Sequence, residues 1–277
     1  MNDGEVKALV SLLDDEDVEI VHEIEAKIKS LGEGVIPYLE EAWENSFNPV
    51  FQERLEDLIH HLQFDSLIYK LQDWRDNRTE DLLEGMWLVA LYQYPDLELK
   101  KLRADLEQMY YDVWLEFKPD IHYIDQIKIL NSVIFNKLKF SPNTKNFHSP
   151  GNSMINVVLE SRKGNPISLC VIYMMIAQKL KIPIYGVNLP NLFILTYKTE
   201  QAQFYINAFN RGLIFTKQDI DSYLTNLNLS ENEIFYEPTS NLEIIKRVFR
   251  NLVASFEKLG EHDKVEEIKL LMNSLSK

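Results

Sequence analysis

Two neighbouring runs rich in aromatic and β-branched residues constrain the fold of this 277-residue chain most strongly. The first, IPIYGVNLPNLFILTY, spans residues 182–197, and the second, QFYINAFNRGLIF, spans residues 203–215. Such residues favour strands, and the short turns between them favour antiparallel pairing. Both runs follow an apolar helical stretch within ESRKGNPISLCVIYMMIAQKLKIP, at residues 160–183. The order of these elements predicts an α+β unit with an antiparallel sheet.

Helical periodicity fills the chain on both sides of this unit. Ile20, Ile24 and Ile28 recur at four-residue spacing after an acidic turn at residues 14–17. Short amphipathic helices joined by Gly, Asn and Pro turns are typical of HEAT-like stacking. We therefore predict a mostly α protein of the α+β class in three parts. These parts are a HEAT-like helical segment (residues 1–118), an α+β core (119–226) and a C-terminal helical pair that packs on the core (227–277).

Composition argues against several classes of function. The net charge of −14, from 43 acidic and 29 basic residues, disfavours binding to nucleic acid. The chain has 9 glycines and no Gly-rich phosphate loop, so we expect no nucleotide cofactor. The six histidines show no metal-binding spacing, and we expect no metal. No apolar run reaches about 18 residues, so we expect no membrane span. The single cysteine and the lack of a signal-peptide pattern predict a cytoplasmic protein.

Three motifs in order carry a resemblance to a known family. They are NSMINVVLESRKGNPISLCVIYMMIAQKLKIP, GVNLPNLF and INAFNRG. Together they resemble the SirB family of bacterial proteins, whose core is similar to the transglutaminase-like branch of the papain-like cysteine enzymes. The resemblance extends over residues 15–275 and is most specific over residues 152–212. It implies a transglutaminase-like (papain-like) α+β core.

The resemblance also implies that the catalytic positions are degenerate. Enzymes of this type need a cysteine at a helix start, a histidine as base and a carboxylate that orients it. In this sequence the three matching positions are Pro166, Leu192 and Asn207. Proline suits the first helical position but has no nucleophilic atom. The SirB family usually keeps the histidine and the aspartate, so this chain departs from its own family.

Two residues near Pro166 could be proposed as substitute nucleophiles. Cys170 lies one helical turn further along the same face, where it is either a relocated nucleophile or a buried core thiol. Ser168 lacks an apparent base, and a serine in a first helical turn commonly bonds a free backbone N–H. We interpret both as structural and assign no catalytic residue.

Other residues near the former cleft are candidates for a binding or a structural role: Asn152, Ser153, Gly164, Asn165, Asn191, Phe209 and Asn210. Asn152 and Ser153 fit a helix cap or a turn, and a binding role for them stays open. His148 lies in the preceding loop and could reach the cleft. We expect Leu192 to be packed apolar surface that meets Pro166 across the cleft and closes it.

The sequence thus favours a non-catalytic protein, a pseudoenzyme that acts as a protein- or peptide-binding scaffold, with a regulatory role as one option. Two alternatives stay open. The chain could be a cysteine-type amide hydrolase or acyltransferase that uses Cys170 with His148, or it could bind a small molecule in the former substrate cleft. A partner could contact the acidic turn at residues 14–17, although these acids could equally cap the following helix.

Overall fold

The computed structural model describes residues 2–15, 17–230 and 232–276. It forms two compact units, one up to Gln72 and the other from Asp73 onward. The three segments predicted from the sequence, with boundaries at residues 118 and 226, stay a prediction. Over the described ranges, none of the helices combines the length and the apolar character that a bilayer-spanning helix needs.

The regular elements follow one another along the chain with short connections. The α-helices are α1 (Asp3–Ser11), α2 (Val18–Lys29), α3 (Ile36–Asn45), α4 (Pro49–Asn77), α5 (Leu82–Leu91), α6 (Leu99–Trp114), α7 (Tyr123–Asn131), α8 (Ile155–Ser161), α9 (Pro166–Lys179), α10 (Lys217–Asn226), α11 (Asn241–Leu259) and α12 (His262–Ser274). The strands are β1 (Ser141–Pro142), β2 (Lys163–Gly164), β3 (Ile184–Leu189), β4 (Leu192–Lys198), β5 (Gln203–Asn207) and β6 (Leu213–Phe215).

Helices α1 to α3 and the first part of α4 form the unit up to Gln72. Its core consists of apolar side chains from these elements and their connections: Val6, Val10, Leu13, Ile28, Val35, Leu39, Phe51, Leu55, Leu58 and Leu62. Asp17 begins α2 by accepting a hydrogen bond from the Glu19 N–H at 2.9 Å, as the acidic turn predicts. Glu16 of that turn lies outside the described residues. The HEAT-like assignment of this unit stays a prediction.

The second unit contains the predicted antiparallel sheet. Its strands pair in the order β3-β4-β5-β6, and each strand is antiparallel to its neighbour. Helix α9 packs against β3 and β4, and α11 packs against α12, α5 and α9. The helical termini and the small sheet confirm the predicted α+β, mostly α fold class.

The two faces of the sheet carry different neighbours, because successive residues of a strand point to opposite faces. One face contributes Val187, Ile194 and Tyr205 to a core cluster with Ile220 and Leu224 of α10.

Phe193 of β4 lies on the other face of the sheet. Its ring lies against Gly186, where an added Cβ would come within 2.6 Å of the ring and 3.2 Å of Ile244 in α11. Gly186 therefore has to lack a side chain so that the sheet, Phe193 and α11 can pack together.

The predicted helix within residues 160–183 is preceded there by the end of a shorter helix. Helix α8 ends at Ser161, and Arg162 takes a left-handed conformation with φ 59°. Strand β2 then pairs in parallel with β1. The helix proper begins only at Pro166, where a proline at the first position needs no N–H acceptor.

Candidate functional site

A groove of about 250 Å³ lies at the first turn of α9, where the sequence analysis predicted the degenerate nucleophile position. We call it the Pro166 groove. Its lining residues are Phe147, His148, Asn165, Pro166, Ile167, Asn191, Phe193, Arg247, Asn251, Ala254 and Ser255. Among the described residues, no aspartate or glutamate lines it. The groove is open, and its polar lining consists of amides, a hydroxyl, an imidazole and a guanidinium.

Asn165 fixes the start of α9 at the base of this groove. Its Oδ1 accepts a hydrogen bond from the Ser168 N–H at 2.9 Å, and its Nδ2 donates to Ser153 Oγ at 2.9 Å. The cap of α9 is thus Asn165, and the expected capping role of Ser168 is wrong. Ser168 Oγ instead donates to the Asn165 carbonyl at 3.1 Å. A side chain at Gly164 would collide with that hydroxyl, so glycine is required there.

Asn152 holds the loop that forms one edge of the Pro166 groove. Its buried Nδ2 donates to the carbonyls of Asn146 at 2.7 Å and Phe147 at 2.9 Å. Its Oδ1 accepts from Asn143 Nδ2 at 2.8 Å. Asn152 was predicted to be a helix cap or a turn residue. It is a turn residue, because the N-cap of α8 is Met154 and the helix begins at Ile155.

Cys170 is fully buried and has no place in the groove lining. Its Sγ donates to the carbonyl oxygen of Phe193 at 3.6 Å. Burial raises the pKa of the thiol well above its ordinary value, although a hydrogen bond from the backbone of Ala208 opposes this shift. A thiol in this environment is neutral at physiological pH, and the neutral form is a poor nucleophile.

Leu192 does not meet Pro166, and that expectation is wrong. Leu192 is half-buried against the core cluster at α10, on the face of the sheet opposite to Phe193. The reason is the strand alternation along β4, which begins directly after a turn with Asn191 at φ 58°. Asn191 and Phe193 line the groove in place of Leu192, so no apolar pair closes it.

Asn207 closes a local turn. Its Oδ1 accepts a hydrogen bond from the Asn210 N–H at 3.1 Å and so begins the short 3-10 helix over Ala208–Asn210. Phe209 of this turn packs edge-on against Phe147, with ring centroids 6.1 Å apart. These residues support the groove from outside, because only Phe147 is among its lining.

One whole side of the Pro166 groove comes from α11 and was missed by the sequence analysis. Its residues there are Arg247, Asn251, Ala254 and Ser255. Their spacing of i, i+4, i+7 and i+8 places them on one helical face, which was an available signal. The apolar stripe of the same helix predicted a packing role for α11, and this polar face was not predicted to line a site.

Two basic residues give this side of the groove its charge. Arg247 is half-buried, and its Nη1 donates to Asn188 Oδ1 at 3.0 Å. Burial lowers the pKa of its guanidinium, and the nearby Arg250 adds to that effect. Lys258 Nζ lies 2.9 Å from Nε2 of His148 at the groove edge. In the part of the chain that the structure describes, no group of three or more His, Cys, Asp or Glu could hold a metal ion.

A helix start that faces an antiparallel sheet across a groove is the arrangement expected of a transglutaminase-like core. A family model described as "Transglutaminase-like superfamily" matches residues 100–250, which is more than half of the chain. The chain belongs to the transglutaminase-like superfamily.

Relatives of two kinds match this chain. A UPF0162 protein of Xylella fastidiosa is 32% identical over 142 residues, which are 50% of this chain and 49% of that protein. A UPF0162 protein of Pseudomonas aeruginosa is 30% identical over 115 residues, 40% of this chain and 42% of that protein. The F-box only protein 21 of Homo sapiens is 28% identical over 227 residues, 71% of this chain and 35% of that protein.

The chain spans about half the length of the Xylella UPF0162 relatives that it matches. No solved structure matches this chain.

Proposed function

We propose that this chain is a non-catalytic member of the superfamily, which binds a segment of a protein or peptide partner in the Pro166 groove. The observation that carries the proposal is the pairing of an open groove with a proline at its helix start. The groove keeps polar groups that can bind a ligand. In the first turn of α9, Pro166 has no nucleophilic atom, and the buried hydroxyl of Ser168 is outside the groove lining and donates to the Asn165 carbonyl. A narrower SirB-type assignment and a regulatory role are part of the proposal and rest on the resemblance. A cytoplasmic location is also part of it and rests on the single cysteine and the lack of a signal-peptide pattern.

The alternative of a relocated cysteine nucleophile has little support. Cys170 is buried and donates to the carbonyl of Phe193, and its raised pKa opposes formation of the thiolate. His148 does line the groove, but its Nε2 lies 2.9 Å from the ammonium group of Lys258. A ring nitrogen that accepts from an ammonium group cannot accept a proton from a thiol at the same time.

A peptide segment suits the groove better than a compact small molecule does. Pockets that enclose drug-sized ligands have volumes of about 300–1,000 Å³, whereas this groove has about 250 Å³. It can therefore hold a side chain or a chain end while the rest of the partner stays outside. The match to F-box only protein 21 also favours a protein partner.

Selection from a random peptide library displayed on phage tests this proposal. Ala254 is exposed and lines the groove, so Ala254→Trp fills it without removal of a polar group. Leu259→Trp is the matched control, because Leu259 is exposed on the same helix outside the groove. We expect enriched peptides to bind the wild type and Leu259→Trp equally and to lose affinity for Ala254→Trp. Equal binding to all three proteins would contradict the proposal.

A further inference from the structure

We propose that the Pro166 groove selects ligands by a carboxylate group, which Arg247 binds. This inference rests on the proposed function and names the ligand chemistry that the groove recognises. The carboxylate can belong to the C-terminus of a peptide or to an aspartate or glutamate side chain, since both present the same pair of oxygens.

Arg247 differs from the basic residues around it on α11. Lys246 and Arg250 both pair with Glu243, at 3.2 Å and 3.6 Å. Arg247 forms no ion pair with a carboxylate of the described residues, and its Nη1 donates to the amide oxygen of Asn188. Because a guanidinium has five N–H donors, this single hydrogen bond leaves most of them available.

Burial makes the missing counter-charge more significant. Arg247 is half-buried at the groove wall, and its lowered pKa reflects the loss of water around the guanidinium. A partly desolvated cation gains more from an anionic ligand than a fully exposed one, because the local dielectric is lower. Arginine is also suited to this task geometrically, since its planar fork matches the two oxygens of a carboxylate.

The rest of the groove supports an anion and contains nothing that repels one. No aspartate or glutamate is among its described lining residues, although the chain carries a net charge of −14. The first turn of α9 also faces the groove with Pro166 and Ile167. Pro166 has no N–H and the Ser168 N–H donates to Asn165, so Ile167 is the groove-lining residue of this turn whose N–H has no acceptor within the helix. The helix dipole also favours negative charge there. Lys258 adds a cation beside His148 at the edge.

Titration of small probes followed by NMR tests this inference on the whole chain. The probes are N-acetylalanine for a terminal carboxylate, N-acetylglutamate α-amide for a side-chain carboxylate and N-acetylglutamine amide as the neutral match. The readout is the Nε–Hε resonance of Arg247 and the backbone resonance of Ile167. We expect saturable shifts with at least one of the two carboxylates, and an affinity for the neutral probe that is lower by about tenfold or more.

Two variants separate a direct contact from a general effect of charge. Arg247→Gln removes the proposed carboxylate-binding residue. Arg250→Gln removes an equal charge three residues further along the same helix, outside the groove lining. We expect the first to weaken carboxylate binding by about tenfold or more and the second to change it less than twofold. Urea unfolding of both variants shows whether each is folded.

The outcomes distinguish this inference from the proposed function. If library peptides bind in the groove with an affinity that does not depend on their carboxylates, the inference is wrong and the proposed function stands. The same holds if Arg247→Gln and Arg250→Gln weaken binding equally. If neither the library nor any probe binds, and Ala254→Trp changes nothing, both are wrong.

Discussion

The thiol of Cys170 donates a hydrogen bond to the main-chain carbonyl of Phe193, with 3.6 Å between sulfur and oxygen. This contact ties α9 to β4 inside the protein, while the side chain of Phe193 lines the groove. The one cysteine of the chain therefore contributes to packing between helix and sheet. The groove is left without a thiol.

We predict that Cys170 resists alkylation in the folded protein. Burial raises its pKa and blocks access, so iodoacetamide should react at least about a hundredfold more slowly than with a free-cysteine peptide at pH 8. The rate should become equal to that of the peptide in denaturing urea, which serves as the control. Labelling of the native protein at the peptide's rate would show an accessible thiolate and revive the hydrolase alternative.

Asn165→Ala should destabilise the protein by about 1–3 kcal/mol. The substitution removes the cap of α9 and leaves Ser153 Oγ without its buried donor. Urea unfolding measures the change. Asn226→Ala is the control, because Asn226 is exposed near the end of α10, and it should change stability by less than about 0.5 kcal/mol. Equal effects of the two substitutions would mean that Asn165 does not hold the helix start.

Leu192→Asp should lower the melting temperature without a direct effect on binding in the Pro166 groove. Leu192 is half-buried against the cluster at α10, so a carboxylate placed there should cost about 1–3 kcal/mol. Its side chain points away from the groove, so peptides that bind there should keep their affinity below the melting transition. Leu213→Asp, at an exposed site of β6, is the control for stability. A loss of affinity with an unchanged melting temperature would place Leu192 in the groove after all.

The fold could be predicted from the sequence because its signals are local. The alternation and β-branched residues of β3 to β6 and the apolar stripe of α11 each depend on neighbours in the chain. The resemblance added the prediction that Pro166 is a degenerate catalytic position, and the structure places Pro166 in the first turn of α9. The start of that helix at a proline follows from residue chemistry alone.

The site was harder to predict because it depends on contacts between distant segments. Arg247 is 81 residues after Pro166 in the sequence, and only packing of α11 beside α9 brings both to one groove. The face of the sheet on which Leu192 lies depends on where β4 begins, since a shift of one residue moves every side chain of a strand to the opposite face. A motif match fixes the order of residues but does not fix that register.

Turnover of glutamine peptides tests the central claim of a non-catalytic binding groove most directly. The peptides enriched with the wild type, each extended by a glutamine, are incubated with the full chain, and mass spectrometry follows deamidation, hydrolysis and cross-linking to an added amine. A catalytically active transglutaminase under the same conditions is the positive control. We predict that the peptides are recovered unchanged at the rate of the buffer blank, while they still bind to the wild type and not to Ala254→Trp. Product formation that disappears in Cys170→Ala or Ser168→Ala would contradict the account and show that the groove is an active site.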